Sequence, residues 1–316
     1  MAVGISVRSS LLLIGAAASW GVGTVISKQV LEELAPMALL TVQLTTSTLF
    51  LATLSLVMRT RVQWSRQLFK AASLGFLNPG LAYALGLVGL TYISASTSVL
   101  LWAAEPVLIL VLAIALLGER PGKNVVVAMA IAIAGVLLVV FQPGVSGSVI
   151  GVGLTLAAVS LCAFYTVAAR ALNVDDSLLT VTLLQQGAAL LFALVVSGVL
   201  LVATDLTYTT SSAVTVSPMT WVGAIISGVL YYALAFWLYL SGLRHVKAST
   251  AGTFLTLIPV FGVAAAHLVG ERMAARQWIG AALVIAGVSL VVRRQAVSEP
   301  ASASPTSTST QTVPRR

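Results

Sequence analysis

Residues 94–140 read SASTSVLLWAAEPVLILVLAIALLGERPGKNVVVAMAIAIAGVLLVV. Two apolar runs flank a charged turn, Gly118-Glu119-Arg120-Pro121-Gly122-Lys123, and a lone acid with a proline, Glu105-Pro106, interrupts the first run. Much of the pattern returns near the C-terminus. Gly89-Leu90 recurs as Gly242-Leu243, Ala95-Ser96-Thr97 as Ala248-Ser249-Thr250 and Pro106 as Pro259, all 153 positions on. Gly118-Glu119-Arg120 recurs as Gly270-Glu271-Arg272 and Ala134-Gly135-Val136 as Ala286-Gly287-Val288, 152 positions on. A single one-residue indel accounts for the change of offset. Five blocks in one order argue for a duplicated unit.

Composition says where such a unit lives. Of the 316 residues 59% are hydrophobic and only 8% are charged, against about 25% charged in a soluble domain. The chain cannot coat a globule with charge, and its solvent is the lipid bilayer. The net charge of +8 does not imply nucleic acid, because the basic residues stand singly or in small groups between apolar runs. The single cysteine, Cys162, rules out an internal disulfide framework. The apolar start is read as a first span rather than a cleaved signal, since the repeat count needs it.

A spanning helix needs about 20 mostly apolar residues. Ten segments qualify: 9–28, 36–58, 70–91, 94–117, 124–141, 149–169, 178–203, 219–243, 248–269 and 276–292. The fold expected is an all-α membrane protein of ten transmembrane helices in two inverted five-helix repeats. The first repeat covers 9–141 and the second 149–292, with a low-complexity cytoplasmic tail, 295–316, expected to be disordered. With the N-terminus inside, fourteen Lys and Arg fall on the cytoplasmic side and three, Lys28, Arg272 and Arg276, on the other. That bias sets the orientation and places both termini inside. Five spans per repeat is an odd number, so the second half enters the membrane in the opposite sense. Inverted repeats are a carrier signature. The stretch 61–70 is read as a loop or a short interfacial helix with Trp64 and Phe69 toward lipid.

No catalytic constellation appears. There is no His-Glu-x-x-His, Gly-x-Ser-x-Gly or phosphate-binding loop, and His245 and His267 lie on different segments. No cofactor or metal is expected, and transport would draw on a gradient or an exchanged solute. Glu105 is the sharpest candidate. A charge in mid-span costs about 2.5–3.5 kcal/mol on insertion scales, so it is read either as a cavity acid that carries a coupling proton or meets a substrate amine, or as a protonated lock between helices. Ser98 and Trp102 precede it on the same face. Pro106 and Pro259 each remove an amide and free the carbonyl four residues back, and paired breaks in equivalent spans point to the binding region. The stripe Gly15, Ser19, Gly23, Ser27 is read as helix packing. Trp20 beside it, Tyr83, Asn78-Pro79 and Tyr231-Tyr232 are further cavity candidates. Gln43, Gln185 and Gln186 read first as helix–helix hydrogen bonds. Lys28 is expected to snorkel to water, and Glu271, four residues after His267, to cap a helix end.

These residues resemble the drug/metabolite transporter superfamily in its EamA-like ten-helix branch. Ala18-Ser19-Trp20-Gly21 with Lys28 is similar to that family's opening pattern. Glu105-Pro106-Val107, Leu117-Gly118-Glu119-Arg120 and Ala134-Gly135-Val136 resemble its most recognisable block. The likeness covers 9–292. It implies export of amino acids, metabolites or drug-like compounds across the cytoplasmic membrane. The second repeat has Ile258 where the first has Glu105, so an acid role is asymmetric. Relatives that carry sugar phosphates are expected to place basic residues within the spans, and here none lies deep. The reading is a secondary carrier for a small, partly apolar solute. Glu105, Trp102, Trp20, Tyr83, Asn78 and Tyr232 line its cavity, and Pro106 and Pro259 break its helices. The alternatives are a membrane protein without transport activity, a sugar-phosphate-type carrier and a passive channel.

Overall fold

A computed structural model describes residues 7–60, 62–117, 148–172, 177–203, 216–243, 257–272 and 278–283, with scattered helical positions in 127–138, 275–276 and 285–287. Among these residues the only regular structure is helix. In the first half run α1 (Val7–Val30), α2 (Pro36–Val57), α3 (Arg66–Ser73), α4 (Ala82–Tyr92), α5 (Ala95–Trp102) and α6 (Glu105–Leu117). In the second run α7 (Ser148–Leu172), α8 (Leu178–Ala203), α9 (Pro218–Ser227), α10 (Ala235–Leu243) and α11 (Ile258–Leu268). Among the described residues six continuous helical stretches are long and apolar enough to cross a membrane, and Ile258–Leu268 and Trp278–Gly287 are shorter apolar helices. A 22-residue helix such as α2 rises about 33 Å, the thickness of the hydrocarbon layer. The charged turn at 118–123 and the repeated Ala248-Ser249-Thr250 lie outside the described residues.

Large apolar side chains face outward on these helices. Leu56 is 78% exposed, Val202 is 82% exposed, and Leu49, Leu191, Leu194 and Val199 are also exposed. Such a surface is untenable in water and suits lipid. The interior holds the small and hydroxylated positions instead: Ala16, Ala17, Ser19, Ser27, Ser47, Thr155 and Ala158 are buried. Small residues let backbones approach closely where no hydrophobic force drives helices together. The stripe of α1 fits this account. A Cβ on Gly15 would lie 3.2 Å from Leu238, and one on Gly23 2.9 Å from Tyr231.

Packing exchanges partners between the halves. The first helix of the first half, α1, packs on α9, α10 and α11 of the second. The first helix of the second half, α7, packs on α4, α5 and α6 of the first. The two second helices, α2 and α8, pack on each other, and so do α5 and α11. Three buried glutamines follow the same rule. Gln43 on α2 donates to Ser27 Oγ on α1 and to Ser227 Oγ on α9, both at 2.8 Å. Gln185 on α8 accepts from Tyr165 on α7 at 2.7 Å and donates to the Ala71 carbonyl on α3 at 3.0 Å. Each thus ties its own first helix to the third span of the other half. Gln186 donates to the Tyr232 carbonyl at 3.0 Å and accepts from Ser47. Buried amides paired in this way are the polar glue of a lipid-solvated bundle.

The third span of each half is irregular at its middle. In the first half α3 passes through a tight turn, Leu74–Phe76, and a wide turn, Leu77–Leu81, with Asn78 at φ −142°, ψ 119° before α4 begins. In the second half Gly228–Leu234 forms a wide turn between α9 and α10. The fourth span, expected as one helix over 94–117, is two. It breaks at Ala103-Ala104, between α5 and α6. α3 begins at Arg66, four residues before the expected span, and Trp64 and Phe69 at that end are exposed.

Caps at the helix ends are local or borrowed. Ser65 and Ser94 accept from the amides three residues on, of Leu68 and Thr97. Glu33, in the turn after α1, accepts from the Ser217 amide at 2.8 Å and so reinforces the start of α9. That amide, together with the Ser217 and Thr220 side chains, holds the exposed Glu33 carboxyl below the ordinary carboxylate range. A carboxyl whose folded pKa is depressed stabilises the fold above its unfolded value, and loses that contribution as pH falls through the folded value. Glu33→Ala is therefore expected to lower thermal stability slightly at neutral pH and to leave the strongly acidic melting point unchanged. Melting curves of both proteins across the acid range check this.

Candidate functional site

A small, partly open chamber lies where the irregular third spans meet α1 and α5. Its wall is Thr24 and Ser27 of α1, Tyr83, Gly86, Leu87 and Leu90 of α4, Ser98 and Trp102 of α5, and Tyr231 and Tyr232 from the wide turn of the second half. The cavity measures about 30 Å³, room for about two waters. Non-helical backbone at membrane depth is tolerated where it is buried in protein or lines a cavity. Tyr231 and Tyr232 sit on the wide helical turn of the second half, Tyr83 comes two residues after the irregular turn at 77–81, and Trp102 ends α5 at the break.

Tyr83 is the hub of the wall. Its ring meets Trp102 at 5.5 Å, Tyr231 at 5.6 Å and Tyr232 at 5.2 Å, each edge to face, and Tyr231 and Tyr232 meet at 5.2 Å. Edge-to-face contact at these distances is the favoured arrangement of aromatic quadrupoles. Gly86, one turn along α4, leaves room for the indole: a Cβ there would lie 3.3 Å from Trp102 Cζ2. The hydroxyls of Thr24 and Ser27 donate to the carbonyls of Trp20 and Gly23, four residues back on α1. Their hydrogens are used on the helix, and the Ser27 oxygen also accepts from Gln43.

Glu105 opens α6, just past the break, and keeps part of its surface accessible. An acid in the first turn suits the positive end of the helix dipole, and the proline after it loses no hydrogen bond there. Pro259 likewise stands at the start of α11. Both prolines thus begin helices rather than kink continuous ones. The carboxyl lies within electrostatic reach of Tyr83, Tyr165, Tyr231, Tyr239 and Cys162. No cation among the described residues acts on it.

Of the residues singled out in the sequence, Tyr83, Trp102 and Tyr232 meet in the chamber wall. Glu105 stands beside it. Trp20 packs instead against Phe236 at 5.4 Å and Tyr239 at 5.7 Å. Asn78 lies in the turn before α4, its Oδ1 buried without a hydrogen-bond donor among the described residues. Two expectations change. Lys28 does not reach water alone: its partly exposed ammonium donates to the Leu90 carbonyl at 2.8 Å and the Thr91 carbonyl at 3.4 Å. Free carbonyls at a helix end are stronger partners for a cation than the apolar path outward. Glu271 caps not its own helix but the start of α5, across the halves. Ser27 was legible only as a packing position and Thr24 not at all, because their part in the wall depends on Tyr231 arriving from the other half.

The profile of the EamA-like transporter family matches residues 7–141 and again 149–293. The chain belongs to the EamA-like transporter family. It is similar to the uncharacterized transporter YetK of Bacillus subtilis, 29% identical over 217 residues, 65% of this chain and 62% of that protein. It is also similar to the uncharacterized transporter YyaM of the same organism, 30% identical over 213 residues, 65% of this chain and 67% of that protein. The chain thus spans less than two thirds of the first relative's length. A solved crystal structure shares the fold at a TM-score of 0.62 and 17% identity, covering 91% of this chain and 98% of that one. As an EamA-like transporter the protein is a helical, multi-pass membrane protein. The two matched segments agree with the internal repeat found in the sequence.

Proposed function

We propose that this EamA-like transporter is a secondary carrier that exports a small, partly apolar metabolite, such as an amino acid or a drug-like compound, across the cytoplasmic membrane. The observation that carries the reading is the aromatic chamber between the halves. Its wall combines four ring faces with a few hydroxyls, the usual make-up of a site for a compact amphipathic solute. At about 30 Å³ the chamber is too small for any such solute, so the described conformation corresponds to a closed one, and loading requires the halves to part.

The build supports alternating access. Each half's first helix is seated on the other half, so a rocking motion about the α2–α8 contact exposes the chamber to one face and then the other. The bias of basic residues supports termini on the cytoplasmic side and inverted repeats. Glu105 is the group suited to carry a coupling proton. The irregular third spans would let the wall residues shift without breaking whole helices.

An efflux screen tests this reading. The protein is expressed in a transport-poor host challenged with toxic amino acids, amines and dyes. Resistance to at least one class is expected, lost in Tyr83→Ala, where the central ring of the wall is gone. Loss of one buried aromatic costs about 3–5 kcal/mol in a packed core, so Tyr83→Phe, which keeps the ring, serves as the folded reference. Equal resistance in the Tyr83→Ala and parent strains would exclude the chamber as the solute site.

A further inference from the structure

We propose that Glu271 is a gating residue, closing the chamber at the end of the bundle where α1 ends. The inference rests on the carrier reading above. Glu271 follows α11 in the second half, and its carboxylate accepts from the Ala95 amide at 2.8 Å, the Ser96 amide at 3.0 Å and the Ser96 hydroxyl at 2.6 Å. Three bonds from one side chain thus fasten the first turn of α5, and α5 carries Ser98 and Trp102 of the wall. From the other side Lys28 holds the Leu90 and Thr91 carbonyls at the end of α4, the helix that carries Tyr83. Lys28 and Glu271 also attract each other. The corner between α4 and α5 is therefore gripped twice, by an ammonium on its outgoing carbonyls and a carboxylate on its incoming amides. Ser27 and Leu90, which line the chamber, adjoin this grip directly.

The grip is built to be reversible. Glu271 is only partly buried, so water stands ready to replace each bond when the corner moves, and an exposed charged contact exchanges at small net cost. It also joins the two halves, so it must break whenever they part at this end. A static cap would more simply come from α5 itself, and Ser94 already accepts from the Thr97 amide there.

The test is thiol accessibility in the full chain. In a Cys162→Ala background, Ser27→Cys places one thiol in the chamber wall. A membrane-impermeant maleimide is applied to either face of oriented vesicles. Glu271→Gln is expected to raise the labelling rate about fivefold or more, the low end of a typical coupling between sites, and only from the face at which α1 ends. Ser96→Ala, which removes one of the three bonds, is expected to raise it less, from the same face. A monodisperse elution peak and an unchanged melting point establish that each variant is folded. If Glu271→Gln fails to fold, Ser96→Ala decides. Unchanged labelling, or an equal rise from both faces, overturns the gate. Labelling needs no solute, so the two readings fail separately: one-sided labelling without efflux of any compound sinks the carrier, and efflux with ungated labelling sinks the gate.

Discussion

Glu105→Gln is expected to abolish the response of transport to a pH gradient while leaving the protein folded and in the membrane. Glutamine has nearly the shape of glutamic acid and keeps a carbonyl oxygen in place. It carries no charge, so the insertion cost of an ionised acid in mid-span, about 2.5–3.5 kcal/mol, does not arise. The carboxyl stands at the start of α6, beside the chamber, with no cation acting on it among the described residues. In the proposed carrier cycle, an acid in that setting takes up a proton from one face and releases it to the other. In proteoliposomes holding the solute found by efflux screening, uphill accumulation driven by an imposed gradient should drop by about tenfold or more, equivalent to about 1.4 kcal/mol of lost coupling. Downhill exchange of labelled for unlabelled solute should continue. Gradient-driven flux equal to that of the parent would reduce Glu105 to a packing acid.

The second large effect is steric. A Cβ on Gly21 would lie 2.6 Å from the Gly262 amide nitrogen and 2.8 Å from the Ile258 carbonyl oxygen. Both atoms are backbone of α11, and neither can rotate away. Gly21→Ala must therefore push α1 off α11, and overpacking of this kind costs about 1–3 kcal/mol. Against that, alanine in a helix gains about 0.5–1 kcal/mol over glycine, so the clash wins. Gly153 on α7 is the internal comparison, since nothing lies within 4 Å of a Cβ built there. Gly153→Ala is expected to raise the melting temperature slightly and Gly21→Ala to lower it by several degrees. Equal shifts in the two variants would show that α1 and α11 are not in close contact.

The sequence carried the class, the duplicated unit and most of the spans, because each rests on local signals. Apolar runs of the right length mark helices, and repeated blocks mark the halves. Asn78-Pro79 stood out only as a polar cavity candidate, and the irregular turn it forms was not read from it. The matching turn at Gly228–Leu234 has no proline and was invisible, since its shape comes from the packing of Gly228 against α2: a Cβ there would meet the Gln43 backbone at 2.8 Å. The site was legible residue by residue but not as an assembly. Tyr83, Trp102 and Tyr232 stood out as aromatics in mid-span, yet nothing local says that they touch. Trp20 stood out equally and packs elsewhere. The charged ends were the hardest to read. Lys28 and Glu271 find their partners more than sixty positions away along the chain, and spacing rules reach only within one helix.

The swapped seating of the first helices has a consequence for biogenesis. Gly21 and Gly262 touch although 241 positions separate them. α1 leaves the ribosome long before α11 has been translated, and it must wait in the bilayer with its small-residue face against lipid. The long delay before its partners arrive is a cost of high contact order, which slows folding. Truncation between the halves therefore leaves α1 permanently unseated, and quality-control proteases should meet the N-terminal fragment as an orphan.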